Sequence, residues 1–324
     1  MNIVLTGSLG HISRPLTQML AKAGHTLTVI SSQPSRQREI ESLGALPAIG
    51  SINDVDFLTR TFTGAEIVYL MEPPISPAQM FDPALDPYQY VNDIVKGYKE
   101  AVQRSGVKKI VHLSSIGAHT DTGVGLLKFH YHAEHMLKQL PADVSIKFMR
   151  PVGFYYNLLL NIDVIKMLSK GFVGGLMALQ HYGISGLIGG QRGVVASNYG
   201  GDTMNLLVSP YDIATVIAEE MGKPFAGRSF RYIASEELTC NEVAAILGPA
   251  IGKPYLKWVA ISDKMLTNTM LKQGANEKLT KGVVEMGAAG RTGVLYEDYY
   301  KHRPVLGPTK LKSFLPEFAA AYNK

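Results

Sequence analysis

Two glycines three residues apart stand near the start of the chain, in the setting of a phosphate-binding turn. A short apolar run, Ile3–Leu5, leads directly into Gly7 and Gly10, and residues 15–24 have the spacing of an amphipathic helix with a glycine stop. A strand, a glycine turn and a helix start together present backbone N–H groups that attract a pyrophosphate. We therefore expect a dinucleotide here, with a purely structural turn as the alternative. The residues expected at the cofactor are Gly7, Ser8, Leu9, Gly10, His11 and Ile12.

The end of the second predicted strand carries hydroxyl and basic side chains instead of an acid. Residues 25–30 read as this strand, and a site that prefers NAD would usually place Asp or Glu near its end to accept from the adenosine ribose. Here Ser31, Ser32 and Arg36 follow, and the first acid is Glu39. Hydroxyls and a guanidinium suit a 2′-phosphate, so the sequence favours NADP(H) over NAD(H). The alternative is a solvated basic helix start, in which Arg38 in particular faces water.

Apolar strand-like runs alternate with helical patterns through the first half of the chain. The runs are Ile3–Leu5, Leu27–Ile30, Leu46–Ile49, Ile67–Met71, Ile110–Leu113 and Ile146–Met149. Strands separated by helices predict an α/β fold, a doubly wound parallel sheet of the Rossmann type, with its ligand crevice at the carboxyl ends of the strands. Further cofactor contacts are therefore expected just beyond the runs, at Gly50, Ser51, Met71, Glu72, Pro73, Ser114, Ser115, Pro151, Val152 and Gly153.

The character of the sequence changes after Pro151. Aromatic walls with one amide suit a flat apolar substrate, although core packing would explain the tyrosines as well. The expected substrate contacts are Ile116, Phe154, Tyr155 and Asn157. Helical patterns at 241–251, 262–273 and 276–286 predict a smaller, mainly helical C-terminal lobe.

This change of character predicts two domains. Residues 1–153 would form the NADP-binding Rossmann domain and residues 154–324 a substrate-side lobe, of which 204–221 packs back on the first domain. The glycine-rich stretch 171–190 is poor material for a membrane span, and we expect loop and short helix over a cavity there.

Composition excludes several classes of protein. The 324 residues include one cysteine, Cys240, which excludes an internal disulfide and a cysteine-rich metal site. Thr239 and Glu242 have capping-box spacing around it, so we expect a passive residue in a first helical turn. The net charge of +5 comes from scattered Lys and Arg without a nucleic-acid-binding signature, and attraction to an anionic cofactor explains it. The chain shows no signal-peptide pattern, so a cytoplasmic protein is expected.

Four segments together resemble the NmrA-like group of atypical short-chain dehydrogenases/reductases. They are Thr6–Gly10, Val111–Ala118, His130–Glu134 and Arg150–Asn157, and the likeness covers roughly the whole chain. This group includes NADPH-dependent quinone and dye reductases and also redox-sensing regulators. The resemblance implies a Rossmann fold that binds NADP(H), and it is much less specific for the reaction.

Two positions depart from the pattern of that family. Ser13 stands where the third small residue of the glycine turn is usually glycine or alanine, and serine is still small enough for helix–strand packing. The Tyr-x-x-x-Lys pair of such dehydrogenases is absent: counted back from Glu134, His130 takes the lysine position and Leu126 the tyrosine position. The usual proton donor is therefore missing, which argues against carbonyl or alcohol chemistry by the standard route.

His130 is the remaining candidate for a catalytic role. Its ordinary pKa lies near neutral pH, so it could donate a proton to the reduced acceptor, or it could bond the nicotinamide ribose. A purely local structural role is the alternative. His130 and His132 lie on different faces of the predicted helix, so no metal site is expected.

Two functions fit these residues. The leading hypothesis is an NADPH-dependent reductase that transfers hydride to a small conjugated or aromatic electrophile such as a quinone or enone, because such acceptors need only a proton that water or a weak acid can give. The rival is a non-catalytic NADP-sensing regulatory protein that binds a partner, which the loss of the tyrosine favours. We expect a small-molecule substrate, and neither nucleic acid nor membrane as a partner; the sequence leaves the oligomeric state open.

Overall fold

A seven-stranded parallel sheet forms the centre of the molecule. The computed structural model describes residues 1–169, 175–176, 179 and 192–324, so the predicted loop and short helix at 171–190 lies, but for three residues, outside the described residues. Six of the strands are those predicted: β1 (Asn2–Leu5), β2 (Thr26–Ser31), β3 (Leu46–Ile49), β4 (Ile67–Leu70), β5 (Lys109–Leu113) and β6 (Ser145–Pro151). Near-continuous apolar runs form such strands because helices bury both faces of a parallel sheet.

The strand order places a crevice beside β1. The strands lie in the order β3-β2-β1-β4-β5-β6, so the chain first moves outward from β1 and then returns to pair β4 with its other edge. In such sheets a ligand binds at this switch point, beyond the carboxyl ends of the strands. The predicted fold class is confirmed, and the glycine turn after β1 lies at the switch point.

Helices cover both faces of the sheet. The first half contributes α1 (Ser13–Lys22), α2 (Gln37–Ser42), α3 (Val55–Phe62), α4 (Pro77–Met80), α5 (Pro87–Ser105) and α6 (Lys128–Leu137). The second half contributes α7 (Ile162–Ser169), α8 (Pro210–Gly222), α9 (Cys240–Ala250), α10 (Asp263–Lys272), α11 (Glu277–Thr292), α12 (Glu297–Lys301) and α13 (Leu315–Tyr322). One core packs α1 and α8 on the sheet, and a second packs α3, α5 and α6 on its other face.

The second half also contributes strands. They are β7 (Gly153–Phe154), β8 (Val194–Ser197), β9 (Met204–Val208), β10 (Arg228–Ile233), β11 (Glu236–Thr239) and β12 (Lys257–Ala260). Strand β10 pairs with β6 as the seventh strand of the main sheet, while β11-β9-β7 and β12-β8 form two small sheets. Helix α8 packs against α1, where the Thr215 hydroxyl donates to the Met19 Sδ at 3.8 Å. The division at residue 153 stays a prediction.

The three helices predicted in the C-terminal region are present as α9, α10 and α11. Thr239 and Glu242 form the predicted capping box at the start of α9. Cys240 is buried behind it, and burial raises the pKa of its thiol to about 12, which suits a passive core residue. Among the described residues, none of the helices has both the length and the apolarity that a membrane crossing needs.

Candidate functional site

The turn after β1 contains two glycines, Gly7 and Gly10, and the structure explains their lack of a side chain in different ways. Gly7 has a φ of +88°, and a Cβ there would overlap the Met71 Sδ and lie 2.8 Å from the Ser13 hydroxyl oxygen. The fold itself therefore requires glycine at this position. At Gly10, which is exposed and has an ordinary φ, the nearest atom to a Cβ would be the Gly7 carbonyl oxygen at 3.4 Å. Apart from the chain neighbours of Gly10, no other described protein atom lies within 4 Å of that Cβ position.

Helix α1 begins beside Gly10 without a capping side chain. Its N-cap residue is Ile12, which offers no side-chain acceptor, and the first turn contains no acid. Unsatisfied N–H groups and the positive end of the helix dipole attract an anion, and an exposed glycine lets it approach. The side chains of Leu9 and Ile12 are buried in the core, so these residues offer their backbone to a ligand. The turn fits a pyrophosphate.

Ser13 meets the packing requirement expected of the third small residue. It is buried at the start of α1, and its hydroxyl donates to the Thr6 carbonyl oxygen at 3.3 Å. The segment after β4 is fixed next to it. The Thr6 hydroxyl accepts from the Met71 N–H at 2.9 Å, and the Tyr98 hydroxyl donates to the Met71 carbonyl at 2.7 Å. This segment is thereby held against the glycine turn.

Two guanidinium groups lie at the end of β2, one of which the sequence did not single out. Arg14 from α1 and Arg36 each bind one carboxylate oxygen of Glu39, at 2.6 Å for Arg36. The hydrogen bonds from Arg14 and then Arg36 lower the pKa of Glu39, so the three groups carry one net positive charge near neutral pH. The Ser8 hydroxyl donates to that of Ser31 at 3.0 Å. This edge can hold a phosphate by its hydroxyls and guanidinium groups.

The other predicted residues at the adenosine side divide into exposed and structural ones. Ser32 and Arg38 are exposed, which agrees with the alternative that Arg38 faces water. Gly50 allows α3 to pack, because a Cβ there would lie 2.6 Å from the Phe57 ring. The Ser51 hydroxyl accepts from the Asn53 N–H at 3.1 Å and so belongs to the turn before α3.

A buried ion pair lies beyond β4 and β5. Glu72, two residues after β4, contacts the Nε2 of His112 on β5 through its Oε1 at 2.9 Å, and their side chains are 3% and 0% exposed. Burial works against both charges, but the charge and hydrogen bond of the partner outweigh it. The pKa of Glu72 is therefore lowered and that of His112 raised. The sequence interpretation missed His112; its only signal was a polar residue inside an apolar strand.

His130 lies near this pair on α6 and is half-buried. Its Nδ1 is buried without a hydrogen-bond partner among the described residues. Burial, only partly offset by the charge of Glu72, lowers the pKa of His130 to about 4. Burial therefore disfavours the protonated form of His130 near neutral pH, and its catalytic role stays a prediction. The neutral imidazole can donate one hydrogen bond and accept another, but it does not act as a general acid at pH 7.

Ser114 is occupied by a structural network. Its hydroxyl donates to Glu134 at 2.7 Å, and Arg150 binds both carboxylate oxygens of Glu134 at 2.8 and 2.7 Å. The proton of this hydroxyl is committed to Glu134, because a buried carboxylate requires such partners, and a contact of Ser114 with the cofactor stays a prediction. Ser115 is half-buried and stays a candidate. The network ties α6, which carries His130, to the ends of β5 and β6.

Leu126, at the position of the missing tyrosine, lies beneath a helix of the C-terminal region. Residues Gly125–Leu127 form a 3₁₀ turn that packs on α11. A Cβ on Gly282 of that helix would lie 3.2 Å from the Leu126 nitrogen. The close approach is possible because Gly125 and Gly282 have no side chains.

The predicted aromatic wall contains two adjacent tyrosines, Tyr155 and Tyr156, which make different contacts. Tyr155 is 1% exposed, and its hydroxyl oxygen lies 2.8 Å from a Glu236 carboxylate oxygen and 2.9 Å from the Thr309 carbonyl oxygen, so its single proton is shared between these two acceptors in the core of the C-terminal region. Tyr156 follows in the same 3₁₀ turn, is half-buried and packs against the margin of the same core. Tyr156 stacks on His11 of the glycine turn at a centroid distance of 4.5 Å and contacts Phe154 at 5.3 Å.

The remaining predicted residues differ in how far they are exposed. Ile116, Pro151 and Val152 are buried, Gly153 and Pro73 are half-buried, and Asn157 is exposed. The Ile116 N–H donates to the Pro151 carbonyl at 2.9 Å, so this part of the crevice is held by backbone. In the part of the chain that the structure describes, no three His, Cys, Asp or Glu side chains converge on a point where a metal ion could bind.

A family model described as NAD(P)H-binding matches residues 7–146, the segment that runs from the glycine turn to β6. Residues 7–146 are an NAD(P)H-binding domain. Among curated proteins, the NAD(P)H azoreductase of Xenophilus azovorans is 21% identical over 287 residues, which cover 88% of this chain and 86% of the azoreductase.

Solved structures share the fold over nearly the whole chain. Citrobacter sp. triphenylmethane reductase complexed with NADP(H) is 18% identical with a TM-score of 0.70, covering 98% of this chain and 100% of that one. The Escherichia coli NADPH-dependent quinone oxidoreductase complexed with NADPH is 17% identical with a TM-score of 0.70, covering 97% and 99%. A nucleoside-diphosphate-sugar epimerase from Staphylococcus aureus is 17% identical with a TM-score of 0.71, covering 97% of this chain and 99% of the epimerase. The comparisons confirm the predicted Rossmann fold with an NAD(P)H-binding segment.

Proposed function

We propose that the protein is an NADPH-dependent reductase that acts on a small conjugated or aromatic electrophile such as a quinone or enone. The observation that carries this proposal is Gly10. The fold does not require glycine there, because a Cβ would meet a single protein atom at contact distance, and the residue lies beside the start of α1, which no side chain caps. A pyrophosphate explains why the residue is glycine, because its oxygens would occupy the place of a side chain and accept from the N–H groups.

The proposed preference for NADPH over NADH rests on the end of β2. Arg14 and Arg36 both lie there, and Glu39 already accepts from both of them. A carboxylate engaged in this way is a poor acceptor for an adenosine ribose, whereas a 2′-phosphate can bind the remaining N–H groups of two guanidiniums. Arg14, Arg36 and Glu39 together therefore favour NADPH over NADH.

The proposed chemistry does not need the missing tyrosine. NADPH supplies the hydride when bound. The chain has to place an acceptor beside the nicotinamide and allow one proton to reach the reduced product. A neutral His130 is suited to hydrogen-bond a cofactor hydroxyl or an acceptor oxygen, and with a pKa of about 4 it is not a source of protons at pH 7. Water is then the proton donor, which an enone or quinone tolerates.

The substrate wall supports a flat acceptor. Tyr156 and His11 are stacked with 19° between their planes, and Phe154 lies next to Tyr156. Burial raises the pKa of Tyr156 to about 12, so its hydroxyl stays protonated and available as a donor. Planar rings stack favourably on such surfaces. The azoreductase and the dye and quinone reductases act on conjugated compounds by their names, which is consistent with this class of substrate.

The experiment that tests the proposal is a turnover assay. NADPH absorbance is followed with a panel of quinones, enones and azo dyes, and we expect many NADPH molecules consumed per protein molecule. Tyr156→Ala should raise KM for aromatic acceptors while NADPH binding is kept, with Tyr211→Ala, an exposed tyrosine on α8, as the matched control. If NADPH binds and none of the panel is turned over, the reductase proposal is wrong. The NADP-sensing function would then be tested by partner capture with and without NADP.

A further inference from the structure

The buried pair of Glu72 and His112 has no explanation in packing alone. Both side chains are withdrawn from water, and the His112 ring also lies edge-on against Phe148 at 5.7 Å. Removing two charges from water costs about as much as their attraction returns, so two apolar side chains of similar size would stabilise the sheet equally well or better. An ion pair at such a position points to a role other than stability.

Its position lies on the path of the cofactor. The switch point between β1 and β4 divides the crevice, and the adenosine side is the side of β2, where Arg14 and Arg36 lie. A dinucleotide that crosses the start of α1 therefore places its nicotinamide half beyond β4 and β5. Glu72 follows β4 and His112 lies on β5. The pair is thus at the nicotinamide side.

A second observation points to a ligand at the same place. The Nδ1 atoms of His112 and His130 are both buried without hydrogen-bond partners among the described residues. Three polar side chains, Glu72, His112 and His130, therefore share only one hydrogen bond among themselves, that of 2.9 Å between Glu72 and His112. Buried polar groups are normally satisfied, and a ligand hydroxyl is one way to complete such a cluster.

We propose that Glu72 is an acceptor for the vicinal hydroxyls of the nicotinamide-side ribose, that His112 holds its carboxylate in place, and that His130 binds beside it. A carboxylate is the group that commonly accepts from ribose hydroxyls in dinucleotide sites. The positive charge of His112 also offsets the repulsion between this carboxylate and the pyrophosphate. This inference rests on the proposed use of NADPH.

The test compares two ligands on one substitution, Glu72→Gln. NADPH contains the nicotinamide ribose, whereas adenosine 2′,5′-bisphosphate contains only the adenosine side. Loss of one hydrogen bond to a charged group weakens binding by roughly 10- to 100-fold, and we expect this loss for NADPH in calorimetric titration. Binding of adenosine 2′,5′-bisphosphate should change by less than about twofold, the scale of a site without a lost contact.

The variant is expected to fold, because His112 can lose its proton and become neutral when its partner does. Thermal unfolding checks that the variant folds. The double variant Glu72→Gln with His112→Gln has no charge to bury at this position. It provides a second test, and we expect the same loss of NADPH affinity. Glu220→Gln is the matched control. Glu220 is also paired with a buried cation, Lys147 at 3.2 Å, but it lies at the far end of α8.

The outcomes separate this inference from the reductase proposal. Unchanged NADPH affinity in both Glu72 variants overturns the inference, and so does an equal loss for both ligands, which would indicate a distorted crevice. If the parent protein does not bind NADPH, both proposals fail. If the parent binds NADPH and the Glu72 variants lose NADPH affinity as expected, but none of the acceptors is turned over, only the reductase proposal fails.

Discussion

Replacing each of the two turn glycines by alanine should separate stability from cofactor binding. At Gly7, alanine has to adopt a φ of +88°, which costs about 1–2 kcal/mol, and its Cβ would overlap the Met71 Sδ, which adds about 1–3 kcal/mol. The expected loss in the free energy of unfolding is therefore about 2–5 kcal/mol. At Gly10 the nearest atom lies 3.4 Å from the new Cβ and φ is ordinary, so the change should stay within about 1 kcal/mol.

Cofactor binding should show the opposite order. A methyl group at Gly10 occupies the space that we assign to the pyrophosphate, and two lost charge-assisted hydrogen bonds correspond to a loss of more than about 100-fold in NADPH affinity. Denaturant unfolding measures the stability, and calorimetric titration measures NADPH binding. Gly24→Ala, with a φ of +79° and open space around it, controls for the backbone term alone. Parent-like NADPH binding by Gly10→Ala, and by the larger Gly10→Val, would refute the assignment of this turn.

Three further outcomes follow from the site. Arg36→Ala and Arg14→Ala should each narrow the affinity gap between NADP(H) and NAD(H) by about 1–3 kcal/mol in titrations of both cofactors; equal affinities in the parent protein would contradict the phosphate site. Because the pKa of His130 is lowered to about 4, kcat/KM should show no inflection from this residue between about pH 5.5 and 8, and an inflection near 6.5 that His130→Gln removes would oppose this. Glu134→Gln should lower the free energy of unfolding by about 3–5 kcal/mol in denaturant, since Arg150 loses its buried partner; a change below about 1 kcal/mol would show the network to be dispensable.

The Glu134 pair also fixes the direction of a pH effect. Burial opposes the charge of Glu134, but the hydrogen bonds and charge of Arg150 outweigh it, so the folded-state pKa lies below the ordinary value of 4.5. A carboxyl with a lowered pKa contributes stability that is present above its ordinary pKa and is lost as the pH falls through the folded one. Protonation of Glu134 therefore removes this stabilising contribution only on the acid side of about pH 4.5.

The local features of the fold could be predicted from the sequence because they depend on neighbouring residues. The strand, glycine turn and helix at Ile3 to Gly24, the capping box at Thr239 and the six parallel strands all follow from short patterns. The seventh strand, β10, was not predicted. Apolar and polar residues alternate only weakly along it, and its place in the sheet depends on pairing with the edge of β6.

The candidate site was predicted less completely, because tertiary packing decides which side chains meet. Arg14 lies on α1 and reaches Glu39 on α2, a contact that no spacing indicates. His112 is one polar residue in an apolar strand, and its partner Glu72 is 40 residues away. Tyr155 and Tyr156 are adjacent, and their residue types do not indicate that Tyr155 is fully buried while Tyr156 stacks on His11.

The transfer of a labelled hydrogen tests the central claim most directly. NADPH carrying deuterium at the reactive C4 position, in each of its two configurations, is incubated with the protein and a conjugated enone, and the product is examined by mass spectrometry. We expect deuterium in the product from one configuration only, because a single crevice presents one face of the nicotinamide to the acceptor. Product without deuterium from either configuration, or no product while NADPH binds, would contradict a reductase that transfers hydride directly to its substrate.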